Sequence, residues 1–175
     1  MAKNVNKTEW IPLFLKDTKE KLFDRFELPL TNVQIESESN EYDACHFQVK
    51  NIKIRYRKAK ITPKKTGLFV TLWKRNQLGI TEPFDKKDNT DIYLISTNQK
   101  GKIGYFIFTK QVLNEKGILT GKYEGKRGFR IYPSWDKPNN KQAITTQNWQ
   151  KLYFADLTEK DTDLDSIRKL FSLSK

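Results

Sequence analysis

The stretch Ala-Cys-His-Phe-Gln-Val-Lys-Asn-Ile-Lys-Ile-Arg-Tyr-Arg, residues 44–57, decides the fold of this chain. From residue 44 onward apolar and polar side chains alternate, which is the pattern of β-strands. Residues 46–49 and 52–57 are therefore predicted to form two strands. Lys50-Asn51 between them has the length of a two-residue hairpin turn, so we expect the two strands to pair antiparallel.

The segments on either side of this hairpin predict the elements that surround it. Upstream, Ile11, Leu15, Leu22 and Phe26 are spaced to share one face of a helix over residues 11–26, and the polar residues 36–42 predict a loop. Downstream, residues 68–73 have apolar side chains on both faces of a predicted strand, as in a central strand of a sheet. Further strands are predicted over residues 91–95, 103–108 and 128–132, and further helices over 110–115, over 142–154 and after a capping box at 162–165.

The order of these elements is a helix, several strands and then helices, which is typical of the α+β class. A chain of 175 residues is long enough for one packed core, so we expect a single domain over residues 1–175. The predicted architecture is a mixed, largely antiparallel sheet flanked by helices.

Positive charge is the strongest feature of the composition. The chain has 33 Lys and Arg against 21 Asp and Glu, a net charge of +12. Residues 42–80 carry ten basic and one acidic side chain, and residues 100–151 carry eleven basic and three acidic ones. Charge segregated in this way favours a surface for a polyanion, nucleic acid first. Acidic protein and anionic lipid are the alternatives with the same requirement.

The remaining composition bears on the cellular compartment. Cys45 is the single cysteine and cannot form an internal disulfide, which favours a reducing cytosol. No apolar stretch approaches the roughly 20 residues of a membrane span. The first residues lack the apolar core of a secretory signal. We therefore expect a cytoplasmic protein without membrane contact.

The first basic block supplies one set of candidate phosphate contacts: Lys58, Lys60, Lys64, Lys65, Lys74 and Arg75. Alternation along residues 52–57 places Lys53, Arg55 and Arg57 on one strand face, which is either solvated or a ligand surface. Lys58 and Lys60 extend the opposite, apolar face. Lysines at that rim need an anionic partner, either an internal carboxylate or a ligand phosphate.

The second basic block interleaves cations with aromatic and amide side chains. Its candidate contacts are Lys126, Arg127, Arg130, Trp135, Lys141 and Gln142. Arginine can contact phosphate with two donors, and tryptophan can stack on a nucleobase. Amides at the start of a helix, as at Gln142, can contact base edges but are also ordinary surface residues.

Candidate catalytic residues are few. His46 is the only histidine, and no zinc-protease, Cys-x-x-Cys, P-loop or nucleophile-elbow pattern occurs. A metal nuclease needs an acid before a hairpin, then an acid and a lysine two residues apart on the second strand. Asp43 and Lys60 fit two of these places, but Lys58 stands where the second acid is required and would repel Mg²⁺. The acids that could replace it are Glu27, Glu36, Glu38 and Glu41.

Several motifs resemble the MepB-like family over about residues 42–154. They are YDACHF at 42–47, RKAKITPKKTGLFVTLWKR at 57–75, KRGFRIYPSWD at 126–136, KQA at 141–143 and TQNWQ at 146–150. The family is named for a bacterial operon that also encodes a multidrug efflux pump and its repressor. The resemblance implies a cytosolic protein that binds nucleic acid and has a fold similar to PD-(D/E)xK nucleases. Lys58 departs from the nuclease pattern, which implies a degenerate active site.

These observations lead to one hypothesis and two alternatives. In the hypothesis, the chain binds duplex DNA without strong sequence discrimination, through a groove with one wall from each basic block. A regulatory protein of the same operon is a further expected partner, and no cofactor is expected. The first alternative is an Mg²⁺-dependent nuclease that uses Asp43, Lys60 and an unidentified carboxylate. The second is a basic docking face for an acidic protein.

Overall fold

The computed structural model describes residues 9–159 and 164–172. Its strands are β1 (Leu30–Ile35), β2 (Cys45–Val49), β3 (Ile52–Lys58), β4 (Lys60–Ile61), β5 (Leu68–Thr71), β6 (Trp73–Arg75), β7 (Thr81–Pro83), β8 (Ile92–Gln99), β9 (Lys102–Thr109), β10 (Gly128–Ile131) and β11 (Phe154–Asp156). Its helices are α1 (Leu13–Thr18), α2 (Lys110–Glu115), α3 (Lys141–Gln150) and α4 (Leu164–Ser172).

The largest sheet contains six strands in the order β1-β2-β3-β8-β9-β11. The β2–β3 hairpin lies within it, with Val49 opposite Ile52 and Lys50 in the left-handed region at φ 54°. The hairpin prediction is therefore confirmed. Strands β3 and β8 pair parallel, while the other four pairings of this sheet are antiparallel. The predicted α+β class with a mixed, largely antiparallel sheet is confirmed.

One face of this sheet is covered by the helices at the two ends of the described chain. Leu15 and Leu22 from the amino-terminal helical segment and Ile167 and Phe171 from α4 are buried against it. The predicted amino-terminal helix is confirmed, although α1 continues through one π-helical and one 3₁₀ turn to Phe26. Helix α4 is also present, and residues 162 and 163 of its predicted capping box lie outside the described residues.

The opposite face is covered by a second, smaller sheet and by α2 and α3. This sheet has the order β10-β5-β4. Its buried Leu68, Val70 and Ile131 pack with Tyr93, Ile95, Phe106 and Phe108 of the large sheet. The segment 68–73, predicted as one central strand, instead becomes the middle strand of the smaller sheet. It ends at Thr71, and β6 leaves to form a separate hairpin with β7.

Two strands of the large sheet are not predicted by the sequence patterns. Strand β1 lies in a segment for which the sequence patterns predict no element. Strand β11 was expected to be the end of a helix over residues 142–154, but α3 ends at Gln150 and a 3₁₀ turn follows. The ring of Phe154 lies on Gly104 of β9, and Ala155 and Asp156 continue the pairing. A long-range contact with a residue that lacks a side chain therefore overrides the local helical spacing.

No helix among residues 9–159 and 164–172 has both the length and the apolar character required to cross a lipid bilayer.

Candidate nucleic-acid interface

A cleft of about 600 Å³ lies between the loop before β5, strand β10 and the first turns of α3. We call it the α3 cleft. Its basic lining consists of Lys64, Lys65, Lys116, Lys126 and Arg130. Within the described part of the chain no carboxylate lines it, and the other polar side chains are amides and hydroxyls. The cleft is therefore a concave surface with cationic walls.

Arg130 positions the loop that carries two of these lysines. Strand β10 places Arg130 opposite Phe69 of β5. The guanidinium carbon lies 6.0 Å from the Phe69 ring centroid, and Nη2 donates a hydrogen bond of 2.9 Å to Thr62 Oγ1. Because Thr62 begins the loop over residues 62–67, Arg130 holds Lys64 and Lys65 beside the cleft. The prediction that this segment is a loop is confirmed.

Helix α3 is anchored at both ends, so its first turns have a defined position. At the amino end, Asn140 Oδ1 accepts a hydrogen bond of 2.9 Å from the backbone N–H of Ala143. At the carboxyl end, the buried Gln150 accepts from the N–H of Tyr132 at 2.8 Å and donates to the carbonyl of Arg130 at 2.9 Å. Gln142 from the first turn lines the cleft, where the positive end of the helix favours an anion.

An aromatic side chain lies among the cations of the cleft. Trp149 is half-buried, and its ring centroid lies 5.5 Å from that of Phe108. Lys116 Nζ lies 5.6 Å from the Trp149 ring centroid. An indole beside a cation is suited to stacking on a nucleobase whose phosphate meets the neighbouring lysines.

The predicted cations divide into paired and unpaired groups. Lys60 Nζ contacts Glu41 at 2.9 Å, Lys74 Nζ contacts Asp88 at 2.6 Å, and Arg75 Nε contacts Glu38 at 2.7 Å. By contrast, none of the five cleft cations forms an ion pair with a described residue. Of the predicted contacts in the first basic block, Lys64 and Lys65 line the cleft and Lys58 is exposed outside it, while Lys60, Lys74 and Arg75 are paired with described carboxylates.

The second predicted wall is also divided. Lys126, Arg130 and Gln142 line the cleft, whereas Arg127 does not. The Arg127 guanidinium donates to the carbonyl of Thr81 at 2.8 Å and so holds β7.

The remaining predicted contacts lie outside the cleft. Trp135 Nε1 donates to Gln99 Oε1 at 2.9 Å, and its ring meets Phe154 edge-on with centroids 5.3 Å apart. Trp135 therefore lies half-buried outside the cleft, and the indole that lines the cleft is that of Trp149. Lys58 is exposed at the end of β3, and Lys141 is exposed as the first residue of α3.

Among the residues considered for a metal nuclease, Glu41 and Asp43 lie near Lys60, and the hydrogen bond to Glu41 together with the charge of Asp43 raises the pKa of Lys60. Asp43 follows a short 3₁₀ turn and has a left-handed φ of 50°. Lys60 and Glu41 form their own ion pair, and Glu38 is occupied by Arg75. Among residues 9–159 and 164–172, no group of three or more His, Cys, Asp or Glu side chains is arranged to bind a metal ion.

Glu36 forms the centre of a buried charge cluster. It accepts hydrogen bonds from Arg55 and, at 2.6 Å, from Arg57 Nη2. Burial by itself would raise the pKa of Glu36, but the neighbouring His46, Arg57 and Arg55 hold this pKa at about 2. Arg57 is fully buried, so a solvated face for these arginines is excluded. The Arg55 guanidinium carbon instead lies 4.2 Å from the ring centroid of Phe84.

Sequence reasoning missed several residues of the cleft. Lys116 follows the short helix predicted over residues 110–115, and Trp149 lies on one side of the longer helix predicted over residues 142–154. Asn139 and Asn140 also line the cleft. Lys116 is next to Gly117, and Asn139 and Asn140 precede the first turn of α3, positions that indicate exposed backbone but not a shared cleft.

Comparison with known proteins identifies similar chains. A model of the MepB-like family matches residues 36–156. The crystal structure of MepB has 34% sequence identity to this chain and a TM-score of 0.75, and the match covers 86% of this chain and 100% of that one. A bacterial homing endonuclease matches at 11% identity and a TM-score of 0.42, over 76% of this chain and 82% of its own. No curated protein matches.

Proposed function

The chain belongs to the MepB-like family, and from the chemistry of the α3 cleft we propose that it is a nucleic-acid-binding protein. Binding takes place through phosphate contacts in this cleft and requires no cofactor. The observation that carries the proposal is the convergence of five cations in one cleft without an ion pair to any described residue, whereas Lys60, Lys74 and Arg75 of the first basic block are paired.

Unpaired cations in a concave surface favour a partner with closely spaced negative charges. The five cations converge from three separate segments of the chain, so together they present donors to more than one phosphate. Phosphate neutralisation by Lys and Arg releases condensed counterions, and this release drives binding irrespective of sequence. We therefore propose duplex DNA as the partner, bound with little sequence discrimination.

The cellular setting follows from the same proposal. The single Cys45 is a buried free thiol, which suits the reducing cytoplasm. There, binding at the cleft would modulate a regulator of the efflux operon by occupying its DNA or by contacting the regulator itself.

Fluorescence anisotropy of a labelled duplex across a salt series tests this proposal. With about five phosphate contacts, log K is expected to fall against log[salt] with a slope of about −4 to −5. The double variant Lys64→Glu/Lys65→Glu removes two contacts, so the slope is expected to become shallower by about 2 for every duplex sequence.

A matched control distinguishes the effect of the cleft lysines on DNA binding from the effect of the net charge of the protein. Lys86 and Lys87 are also two adjacent exposed lysines, but they do not line the cleft. Lys86→Glu/Lys87→Glu changes the net charge by the same amount and is expected to leave the slope close to that of the unmodified protein. Equal losses in both double variants would contradict a role for the cleft. Absence of duplex binding at low salt, with retention of an acidic protein instead, would support the docking alternative.

A further inference from the structure

A row of polar side chains crosses four adjacent strands of the large sheet. Gln34 of β1 lies opposite His46 of β2, His46 lies opposite Arg55 of β3, and Arg55 lies opposite Tyr93 of β8. Residues in register on neighbouring strands point to the same face of a sheet. This row therefore occupies the face opposite α1 and α4, the face that the smaller sheet covers only in part.

The uncovered part of this face is a pocket of about 350 Å³, here called the β1–β3 pocket. Its polar lining includes Gln34, His46, Gln48, Lys53 and Arg55. No carboxylate lines it among the described residues, and it shares no lining residue with the α3 cleft. The pocket is therefore a second concave basic surface, separate in composition from the first.

Two guanidinium groups, that of Arg55 in the pocket and that of the neighbouring Arg57, share one carboxylate among the described residues. Glu36 is the carboxylate that both Arg55 and Arg57 contact, so one negative charge serves two guanidinium groups. Arg57 has no exposed surface, and only 17% of the Arg55 side chain is exposed. Buried cations without a full complement of anions are costly, because water cannot solvate them. An anion bound beside Arg55 would supply the missing charge.

One buried polar atom in the lining of this pocket lacks an aligned hydrogen-bond partner among the described residues. It is His46 Nδ1, which lies 3.4 Å from Glu36 Oε1 without hydrogen-bond alignment. Arg57 Nε also lacks a partner, but Arg57 does not line the pocket. Buried polar groups in native proteins are almost always satisfied, so His46 Nδ1 is available to a ligand in the pocket.

We propose that the β1–β3 pocket binds a phosphate monoester, with Arg55 and Lys53 as cationic contacts and His46 and Gln48 as further hydrogen-bonding contacts. A planar guanidinium matches two oxygens of a tetrahedral phosphate, and an ammonium adds a third charge-assisted contact. The pocket size suits one phosphate with a small substituent. The source is either a phosphorylated small molecule or the terminal phosphate of a nucleic-acid strand.

The single histidine makes the test direct. Because His46 is the only histidine of the chain, its ring signals in a two-dimensional NMR spectrum belong to the pocket without ambiguity. We expect inorganic phosphate and phenyl phosphate to shift these signals to saturation, whereas chloride at the same ionic strength leaves them unchanged. A dinucleotide with a 5′-phosphate, compared with its 5′-hydroxyl counterpart, tests the strand-end source.

Two variants provide the control. Lys53→Gln removes a pocket cation but keeps the backbone N–H that donates to Asp91 Oδ2 at 2.8 Å. It is expected to weaken phosphate binding about tenfold or more, the effect of losing one charge-assisted contact. Lys50→Gln removes a cation from the exposed hairpin turn of the same two strands and is expected to change nothing.

The outcomes separate the sources and the two proposals. If phenyl phosphate but not the 5′-phosphorylated dinucleotide saturates the shift of the His46 signals, the ligand is a phosphorylated small molecule. If the 5′-phosphorylated dinucleotide saturates the shift, the ligand is the end of a nucleic-acid strand. The proposal is wrong if no phosphate gives a saturable shift, or if Lys53→Gln and Lys50→Gln weaken binding equally. Duplex binding through Lys64 and Lys65 depends on residues of the α3 cleft, none of which lines the β1–β3 pocket. The duplex test can therefore succeed or fail independently of the phosphate test.

Discussion

Replacing Glu36 with glutamine removes the carboxylate that Arg55 and Arg57 share. The side chain of Glu36 is 11% exposed and that of Arg57 is fully buried, so solvent screening is weak. A pKa held at about 2, against an ordinary 4.5, corresponds to roughly 3 kcal/mol at about 1.4 kcal/mol per unit. Removal of one partner from a buried ion pair costs about 3–5 kcal/mol. We therefore expect Glu36→Gln to lower the free energy of unfolding by about 3 kcal/mol at pH 7.

The same pKa predicts how this loss depends on pH. The pKa of Glu36 is lower in the folded protein than in the unfolded chain, so the folded state holds the ionised carboxylate more strongly. Its stabilising contribution is complete above the unfolded pKa near 4.5 and is lost as pH falls toward about 2. The stability difference between the unmodified protein and Glu36→Gln should therefore be constant from pH 7 to 5 and shrink below that.

Urea unfolding followed by tryptophan fluorescence, repeated from pH 7 to 3, measures this difference. Glu41→Gln is the matched control, because Glu41 also contacts a cation, Lys60, but is exposed. Its removal is expected to change the midpoint little, as for most surface ion pairs. The reasoning is refuted if Glu36→Gln unfolds with the midpoint of the unmodified protein at pH 7. It is refuted equally if the difference does not shrink at low pH.

Two further predictions concern packing and reactivity. Gly104→Ala places a Cβ 2.7 Å from Phe154 Cε2 and 2.9 Å from the carbonyl oxygen of Ala155, so β11 must shift. We expect this variant to lower the free energy of unfolding in urea by about 1–3 kcal/mol. Gly101→Ala is not a matched control, because nothing lies near a Cβ at that position and the strain there comes from φ 79° alone. Burial raises the pKa of the Cys45 thiol to about 12, so Ellman's reagent should not react with the folded protein at pH 8 but should react in urea. Rapid reaction before unfolding would contradict the burial of Cys45.

The parts of the fold that the sequence predicts correctly depend on neighbours within a few residues. The alternation from residue 44 and the two-residue turn at Lys50-Asn51 specify the β2–β3 hairpin. The spacing of Leu15 and Leu22 specifies a buried helical face. These patterns are local because strand and helix periods repeat every two or about 3.6 residues. The helix and strand predictions from these patterns therefore do not depend on where the rest of the chain packs.

The parts that the sequence does not predict depend on partners that are distant in sequence. The spacing of Trp149, Leu152 and Tyr153 favours continuing a helix, yet Phe154 begins β11 because Gly104 offers it a place on β9. Similarly, alternation alone left Arg57 on either a solvated or a ligand face. Its burial depends on Glu36, which lies 21 residues earlier.

The sequence by itself determined the α+β class, the central hairpin and the amount and segregation of positive charge, because periodicity and composition are properties of the chain. Only the tertiary structure decided which charges remain uncompensated. Arg75 is paired with Glu38, 37 residues earlier, while Lys64 and Lys65 lie unpaired beside Arg130. Ion pairing depends on distances of a few ångströms between segments far apart in sequence, and those distances exist only after folding.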